Sequence, residues 1–439
     1  MISSPSRRRV VVTGIGLICP LGSSKEALWE ALEAGRSGVG PLESVPTSPL
    51  PMTFAAEARQ FSGKIDDFGP LEAEQKKAIR KALKVMCREI QMGVAAAQLS
   101  LTDAGLTASK LDPDRSGTVF GADYMLTVPE EFNAGIDRCK NEAGRFEFGR
   151  WPREGMAQLN PLWLLKYLPN MPASHFAIFN DMRGPNNSIT QREAAANLAI
   201  GEAFRTIERG HADLMVAGAT GTRVHPMKTI HALQWESLAP ETPDPARAAR
   251  PFDLNRTGMV LGEGAAAIVL EDQAAAEKRG AKILGEVIGF GSSAVIDRRG
   301  VGHRGQAVAN ALRSALRDAG LEPDQVGHIH AHGLSSKSAD REEAQAIRAV
   351  FGAAADRVPV TAAKSYFGNL GAAGGLVELA ASLLALQHER LFPVLNYETP
   401  DPECPLNVAR PGAAARPGDC VLNVSFTPQG QASAVIVRR

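Results

Sequence analysis

The chain has 439 residues, enough for two or three domains or for one body built from two similar halves. Its 44% hydrophobic and 22% charged content excludes a disordered chain. Its 48 Lys and Arg balance 48 Asp and Glu, which argues against nucleic acid as the main partner and leaves room only for a local basic patch.

The first apolar run, in SRRRVVVTGIGLICPLG, imitates a signal peptide, with basic residues ahead of it. A buried strand accounts for it better: Val10 to Val12, turning at Gly14 and Gly16. A capping box at Ser23-x-x-Glu26 then opens an amphipathic helix, which a cleaved leader would not need. Next, EQKKAIRKALK sets Lys77, Arg80, Lys81 and Lys84 at i, i+3, i+4 and i+7, one basic stripe on a helix. Most such stripes are solvated faces. The strand GTVFGAD leads into an irregular stretch, Tyr124 to Asn180, that concentrates aromatics: Phe132, Phe146, Phe148, Trp151, Trp163, Tyr167, Phe176 and Phe179. Core, subunit interface, or the wall of a pocket for a long apolar ligand are the uses open to them.

The stretch GPNNSITQREAAANLAIGEAFRTIERG reads as a loop delivering a helix, Glu193 to Arg209, with a carboxylate at its first position. Thr190-Gln191-Arg192-Glu193 is also a T-x-x-E capping box, which would send Glu193 back to its own backbone. Strands DLMVAGAT and AAAIVLED follow, then ILGEVIGFG, GHIHAHG and VPVTAAKS, with helices near Gly305–Ala319, Arg341–Val350 and Gly374–Gln387. The proline- and charge-rich LAPETPDPARAARPFDLNRTG reads as a long surface loop. GVGHRG matches G-x-G-x-x-G, but neither a clean strand before it nor a suitably placed acid supports a nucleotide site. Alternating strands and helices imply an α/β fold with sheets buried under helices on both faces. Cys19, Cys87, Cys139, Cys404 and Cys420 form no C-x-x-C pair, so they read as reduced thiols of a cytoplasmic protein, with no metal framework. No apolar run reaches about 18 residues, so no membrane span is expected, and no motif calls for a cofactor.

Six stretches taken in order resemble the β-ketoacyl-acyl carrier protein synthases of the thiolase superfamily: RRRVVVTGIGLICPLG, GPNNSITQREAAANLAIGEA, RPFDLNRTGMVLGEGAAAIVLED, HAHGLSSKSADREEAQAI, TAAKSYFGNLGAAGGLVELAASLLAL and LNVSFTPQGQASAVIV. The resemblance runs from about Arg8 to the C-terminus. It implies a thiolase-like α/β fold of two related halves, here 1–272 and 273–439, around central buried helices, and usually a dimer. In that family a cysteine at the start of a buried helix takes the acyl chain as a thioester. Two histidines assist decarboxylation of a malonyl unit, and two backbone N–H groups hold the oxyanion. The residue types suit that chemistry: a helix N-terminus stabilises a thiolate, and preorganised donors stabilise developing negative charge.

This sequence departs from the family where the chemistry happens. Glu193 falls at the cysteine position, and a carboxylate attacking a thioester would give only a labile anhydride. His332 keeps the first histidine, but Asn369 replaces the second and cannot titrate. Pro428 stands where the family has a gating phenylalanine that also lends an oxyanion-hole N–H, and proline has none. Losing one such donor costs roughly 3 kcal/mol in the transition state. Lys364 and Glu378 match the family's supporting pair. Leu334 and Ser336 occupy the positions of two pantetheine-binding threonines, so one hydroxyl is lost.

These departures imply a non-condensing, chain-length-factor-like subunit of a type II fatty-acid or polyketide system, paired with an active ketosynthase. The decarboxylating members with glutamine at the cysteine position generally keep both histidines, which this chain does not. The alternative is a decarboxylase or acyltransferase on carrier-bound acyl groups that uses Glu193 and His332 as an acid/base couple. A third reading keeps condensation with some other nucleophile, though no cysteine falls where one is needed. Acyl carrier protein is the expected partner in each case, met through the Lys77, Arg80, Lys81 and Lys84 stripe, together with a homodimeric or heterodimeric second subunit.

Overall fold

The computed structural model describes residues 7–45 and 52–439. The first part of the chain forms β1 (Val10–Ile18), α1 (Lys25–Glu33), a small ribbon of β2 (Gly40–Pro41) and β3 (Phe54–Ala55), α2 (Ala73–Ala82) and α3 (Arg88–Asp103). Then come β4 (Ser116–Ala122), α4 (Asn133–Arg138), α5 (Met171–Phe179), β5 (Asn186–Thr190), α6 (Ala195–Glu208), β6 (Leu214–Thr222), α7 (Pro226–Leu233) and β7 (Glu263–Asp272). The second part holds α8 (Gln273–Lys278), β8 (Gly285–Ala294), α9 (Arg304–Ala319), β9 (His328–His330) and α10 (Lys337–Phe351). It closes with β10 (Val360–Thr361), α11 (Lys364–Phe367), α12 (Gly374–Gln387), β11 (Cys420–Phe426) and β12 (Gln431–Arg438).

Ten of these strands make one sheet in the order β10-β9-β11-β12-β8-β1-β7-β6-β4-β5. Read inward from either edge, the order is the same: third, second, fourth, fifth and first strand of its half. A short antiparallel seam joins the halves, Val10–Val12 against Gly285–Val287. Helix α6 packs on β4 and β6 of one half and β12 of the other, while α12 packs on β11 and β7 and touches α6. The sheet therefore closes around these two helices. Residues 374–386 of α12 are all buried, as a helix apolar on every side should be, with Glu378 and Ser382 the polar exceptions. On the outside, α3 covers β1, β6 and β7, and α9 covers β8 and β12.

Several sequence expectations need correction. The first strand does not turn at Gly14 and Gly16 but continues to Ile18, with a bulge between Val12 and Gly14. Those glycines exist because α3 lies directly on the strand: a Cβ at Gly14 would collide with the Ser100 carbonyl, and one at Gly16 with that of Ala96. The α1 cap is Ser24 rather than Ser23; its hydroxyl accepts from the Ala27 N–H at 3.1 Å, because the helix begins one residue later. The supposed surface loop after α7 is partly interior. Phe252, Asp253 and Arg256 are all buried, with Arg256 donating to Asp401 at 2.6 Å and to the Asp253 carbonyl at 2.8 Å. Charge did not keep the segment outside, because distant partners neutralise it. VPVTAAKS is strand only over Val360–Thr361 before α11 begins. The aromatic stretch divides: Tyr167 and Phe176 are buried, whereas Phe146 and Phe148 are 44% and 74% exposed.

Candidate functional site

Between β5 and α6 the backbone makes a sharp elbow. Arg192 sits at φ 49°, the left-handed region that a non-glycine residue enters only at a cost of order 1–3 kcal/mol, and Arg192–Ala194 form a single 3-10 turn ahead of the helix. This presents the Glu193 side chain inward rather than back toward Thr190, so the capping-box reading of Glu193 is wrong. Thr190 itself is the last residue of the strand. Glu193 is 4% exposed. Its Oε1 accepts from a terminal nitrogen of Arg223 and from Asn369 Nδ2 at 3.2 Å. Its Oε2 has no hydrogen-bond partner and lies 3.4 Å from Arg192 Nε.

Arg223 is the residue sequence reasoning missed. It follows β6 directly, is 1% exposed, and pairs through its other terminal nitrogen with Asp123, which is equally buried just past β4. Burial alone would push the Glu193 carboxyl up; Arg223 and then Arg192 overcome that and hold it well below the usual carboxylate range. The signal was an arginine straight after the small-residue strand VAGATGT, paired with an aspartate ending GTVFGAD. The two charges lie 100 positions apart, and only the fold puts them together. Behind them a second buried pair, Lys228 and Glu89 at 2.6 Å, ties α7 to α3.

His332 lies just past β9, 2% exposed, with its ring 4.4 Å from that of Phe426. Lys364 Nζ donates to its Nδ1 at 3.1 Å, so Nε2 carries the ring proton. Burial first, then Lys364, depresses the imidazolium well below the ordinary histidine range, leaving a neutral ring. Lys364 also pairs with Glu378 of α12, inside the core. Asn369 has both amide ends committed: Nδ2 to Glu193 and to Met259 Sδ at 3.0 Å, Oδ1 to the Gly371 N–H at 3.0 Å. Pro428 occupies the turn joining β11 to β12, where the Gly430 N–H donates to the Thr427 carbonyl at 3.1 Å, a position that suits proline.

Glu193, His332, Asn369, Leu334 and Pro428 thus face one cavity, with Glu236 and Met259 completing much of its wall. Its volume is about 10 Å³, room for roughly one water and far too little for an acyl thioester. Lys364 and Glu378 support it from behind. Ser336 does not reach this cavity; its hydroxyl donates to Glu236 Oε2 at 3.1 Å, and the residue borders a separate surface hollow. Lys77, Arg80, Lys81 and Lys84 are all exposed on α2 and the turn after it, while Ile79 faces the core, and none of the four lines the cavity. Among the described residues no cluster of metal-ligating side chains occurs, and no helix is long and apolar enough to cross a membrane.

Residues 7–276 match the model of the beta-ketoacyl synthase N-terminal domain, and residues 284–398 that of the C-terminal domain. The chain is 31% identical over 430 residues to a 3-oxoacyl-[acyl-carrier-protein] synthase 2 of Synechocystis, covering 96% of this chain and 95% of that one. Among solved structures it is similar to the ishigamide ketosynthase/chain length factor, with a TM-score of 0.82, 28% identity and 99% of each chain covered. A type II PKS acyl-carrier protein in complex with its ketosynthase bound to the hexaketide is also similar, with a TM-score of 0.81, 26% identity and 99% of each chain covered.

Proposed function

The chain belongs to the β-ketoacyl synthase family, and within it we propose a non-condensing, chain-length-factor-like subunit of a type II fatty-acid or polyketide system that pairs with an active ketosynthase. One observation carries the reading: at the family's nucleophile position stands a carboxylate clamped as an anion by Arg223 and Asn369, above which only about 10 Å³ is open. Such a group is fixed rather than poised. The replaced histidine and the missing Pro428 N–H remove two further parts of the condensing chemistry.

The same geometry weighs against a decarboxylase or acyltransferase built on Glu193 and His332. A carboxylate held well below its usual range is a poor base at neutral pH, and a neutral histidine in a buried cationic neighbourhood is a poor proton donor. We assign acyl carrier protein docking to the exposed Lys77, Arg80, Lys81 and Lys84 stripe, since an acidic carrier complements a concentrated basic face on a chain of zero net charge. For the second subunit we assign the sheet edge at β5 and the exposed aromatics Phe146 and Phe148. The division of the halves at 272/273 and a cytoplasmic location belong to the same proposal.

The test is condensation itself. Purified protein incubated with labelled malonyl-carrier protein and an acyl primer should give no β-ketoacyl product above the no-protein rate. Product above that rate would overturn the non-condensing reading, and loss of carbon dioxide without condensation would favour the decarboxylase.

A further inference from the structure

Two openings lie on either side of one hydrogen bond. Inside is the 10 Å³ cavity over Glu193, to which Glu236 presents its side chain. Outside is a surface hollow of about 630 Å³, bordered by Ser336, Lys337, Ser338, Ser237, Asn255 and Thr257. The Glu236–Ser336 hydrogen bond joins the wall of one to the wall of the other. Glu236 is further tied to Arg304, the first residue of α9, at 2.6 Å, and Arg304 in turn grips Glu342 of α10 at 2.7 Å. Three elements thus converge on one carboxylate: the tail of α7, the start of α9 and the start of α10.

Helix α7, which carries that tail, is lightly anchored by apolar contact. Its buried residues are Lys228, Thr229 and Ala232, whereas Met227, Ile230 and Leu233 are 40–44% exposed, as is half of Trp235 just beyond. Polar ties supplement it: Lys228 to Glu89 near its start, His231 to the Tyr124 hydroxyl at 3.1 Å, and Glu236 to Arg304 past its end, beyond which the Ser237 carbonyl accepts from the Met259 N–H at 2.8 Å. Releasing the Glu236 tie alone leaves the buried Lys228, Thr229 and Ala232 in place, so the turn after α7 can shift without loss of core packing.

We propose that Glu236, bound to Arg304 and Ser336, is a latch that shuts the passage between the surface hollow and the cavity over Glu193, and that the α7 tail is the lid it holds. The closed latch uses the Ser336 hydroxyl, so the structure described here is the state closed to a long thiol-bearing arm. Opening frees that hydroxyl and merges the two spaces. The latch rests on the proposed role of the site as one that meets carrier-borne acyl groups, but its operation is measurable without any of them.

The experiment places a thiol in the inner cavity by Met259→Cys and follows its alkylation by iodoacetamide with peptide-level mass spectrometry. In that background, Glu236→Ala and Arg304→Ala should each accelerate alkylation roughly tenfold, the factor corresponding to loss of about 1.4 kcal/mol of charge-assisted hydrogen bonding from the closed state. Glu236→Gln, which keeps the side chain's size, should do the same and serves where the alanine variant does not fold. An unchanged rate in the folded variants would overturn the latch, as would a cysteine at 259 that already reacts at the rate of a free thiol. Acceleration extending equally to buried Cys19 would also count against it, because that reports general loosening. None of these outcomes depends on whether the protein condenses, decarboxylates or binds a carrier, so the latch and the proposed function fail separately.

Discussion

Replacing Arg223 by methionine tests the electrostatics of the site directly. The guanidinium is 1% exposed and is the shared partner of Glu193 and Asp123, so its removal leaves two buried carboxylates facing an apolar side chain, with only Arg192 at 3.4 Å in partial compensation. Breaking a buried pair by removing one partner costs about 3–5 kcal/mol. With an unfolding entropy of about 2.1 cal/mol/K per residue, a chain of 439 residues has about 0.9 kcal/mol/K, and a loss of about 4 kcal/mol lowers Tm by roughly 4 °C. Adding Glu193→Gln removes one of the stranded charges and should recover part of the loss, with a coupling of about 0.5–3 kcal/mol between the two positions. The pH dependence has a definite sign. In the parent, the folded Glu193 value lies below the unfolded one, about 4.3, so its stabilisation is complete above that pH and is lost as pH falls toward the folded value. Without Arg223, burial raises Glu193 instead, so the variant is penalised at neutral pH and relieved as pH falls. The Tm gap between parent and Arg223→Met, measured by calorimetry, should therefore be smaller at about pH 5.5 than at about pH 7.5. A variant as stable as the parent, strict additivity with Glu193→Gln, or a gap indifferent to pH would refute the reasoning.

Glu193→Cys alone should leave condensation undetectable, because Asn369 and Pro428 still lack the second histidine and the N–H donor; activity within about tenfold of an intact homologue, read by product mass spectrometry, would show those two positions to be dispensable. Reversing Arg80 and Lys81 to glutamate should weaken acyl carrier protein binding severalfold with little change in Tm, since exposed charges contribute little to folding. Titration of labelled carrier at about 50 mM and about 300 mM salt checks it, and binding indifferent to both salt and charge reversal would mean the stripe is only a solvated face.

Local signals in the sequence were enough for most elements. The runs DLMVAGAT and AAAIVLED became β6 and β7, and the spacing of apolar residues placed α9, α10 and α12 within a few residues of their ends. Glu193, His332, Asn369 and Pro428 could be singled out as candidates because each sits in a stretch with a family pattern, and the fold brings them to one cavity. What stayed hidden is non-local. Arg223 lies 30 positions from Glu193, and nothing in its neighbourhood says which carboxylates it will meet. Gly14 and Gly16 looked like a turn because a glycine serving close helix–strand approach reads the same as one serving a bend. Arg256 and Asp253 looked solvated because their partners, Asp401 and the backbone at Glu398 and Thr399, lie some 145 residues on.

The placement of α6 has a consequence for how this molecule can be divided. Asn197 of α6 donates to the carbonyls of Asn423 and Ser433, both at 3.3 Å, and the largest apolar cluster runs from Val10 through Ile200 and Leu376 to Val437. The interior is therefore common property of the two repeats, and each supplies part of what the other must bury. Cutting the exposed link after α8 would sever the polypeptide without separating the pieces. Expressing either repeat by itself would leave a helix and a sheet face with nothing to rest on. With each central helix packed on strands of both halves, the two could not be parted without exposing that shared interior.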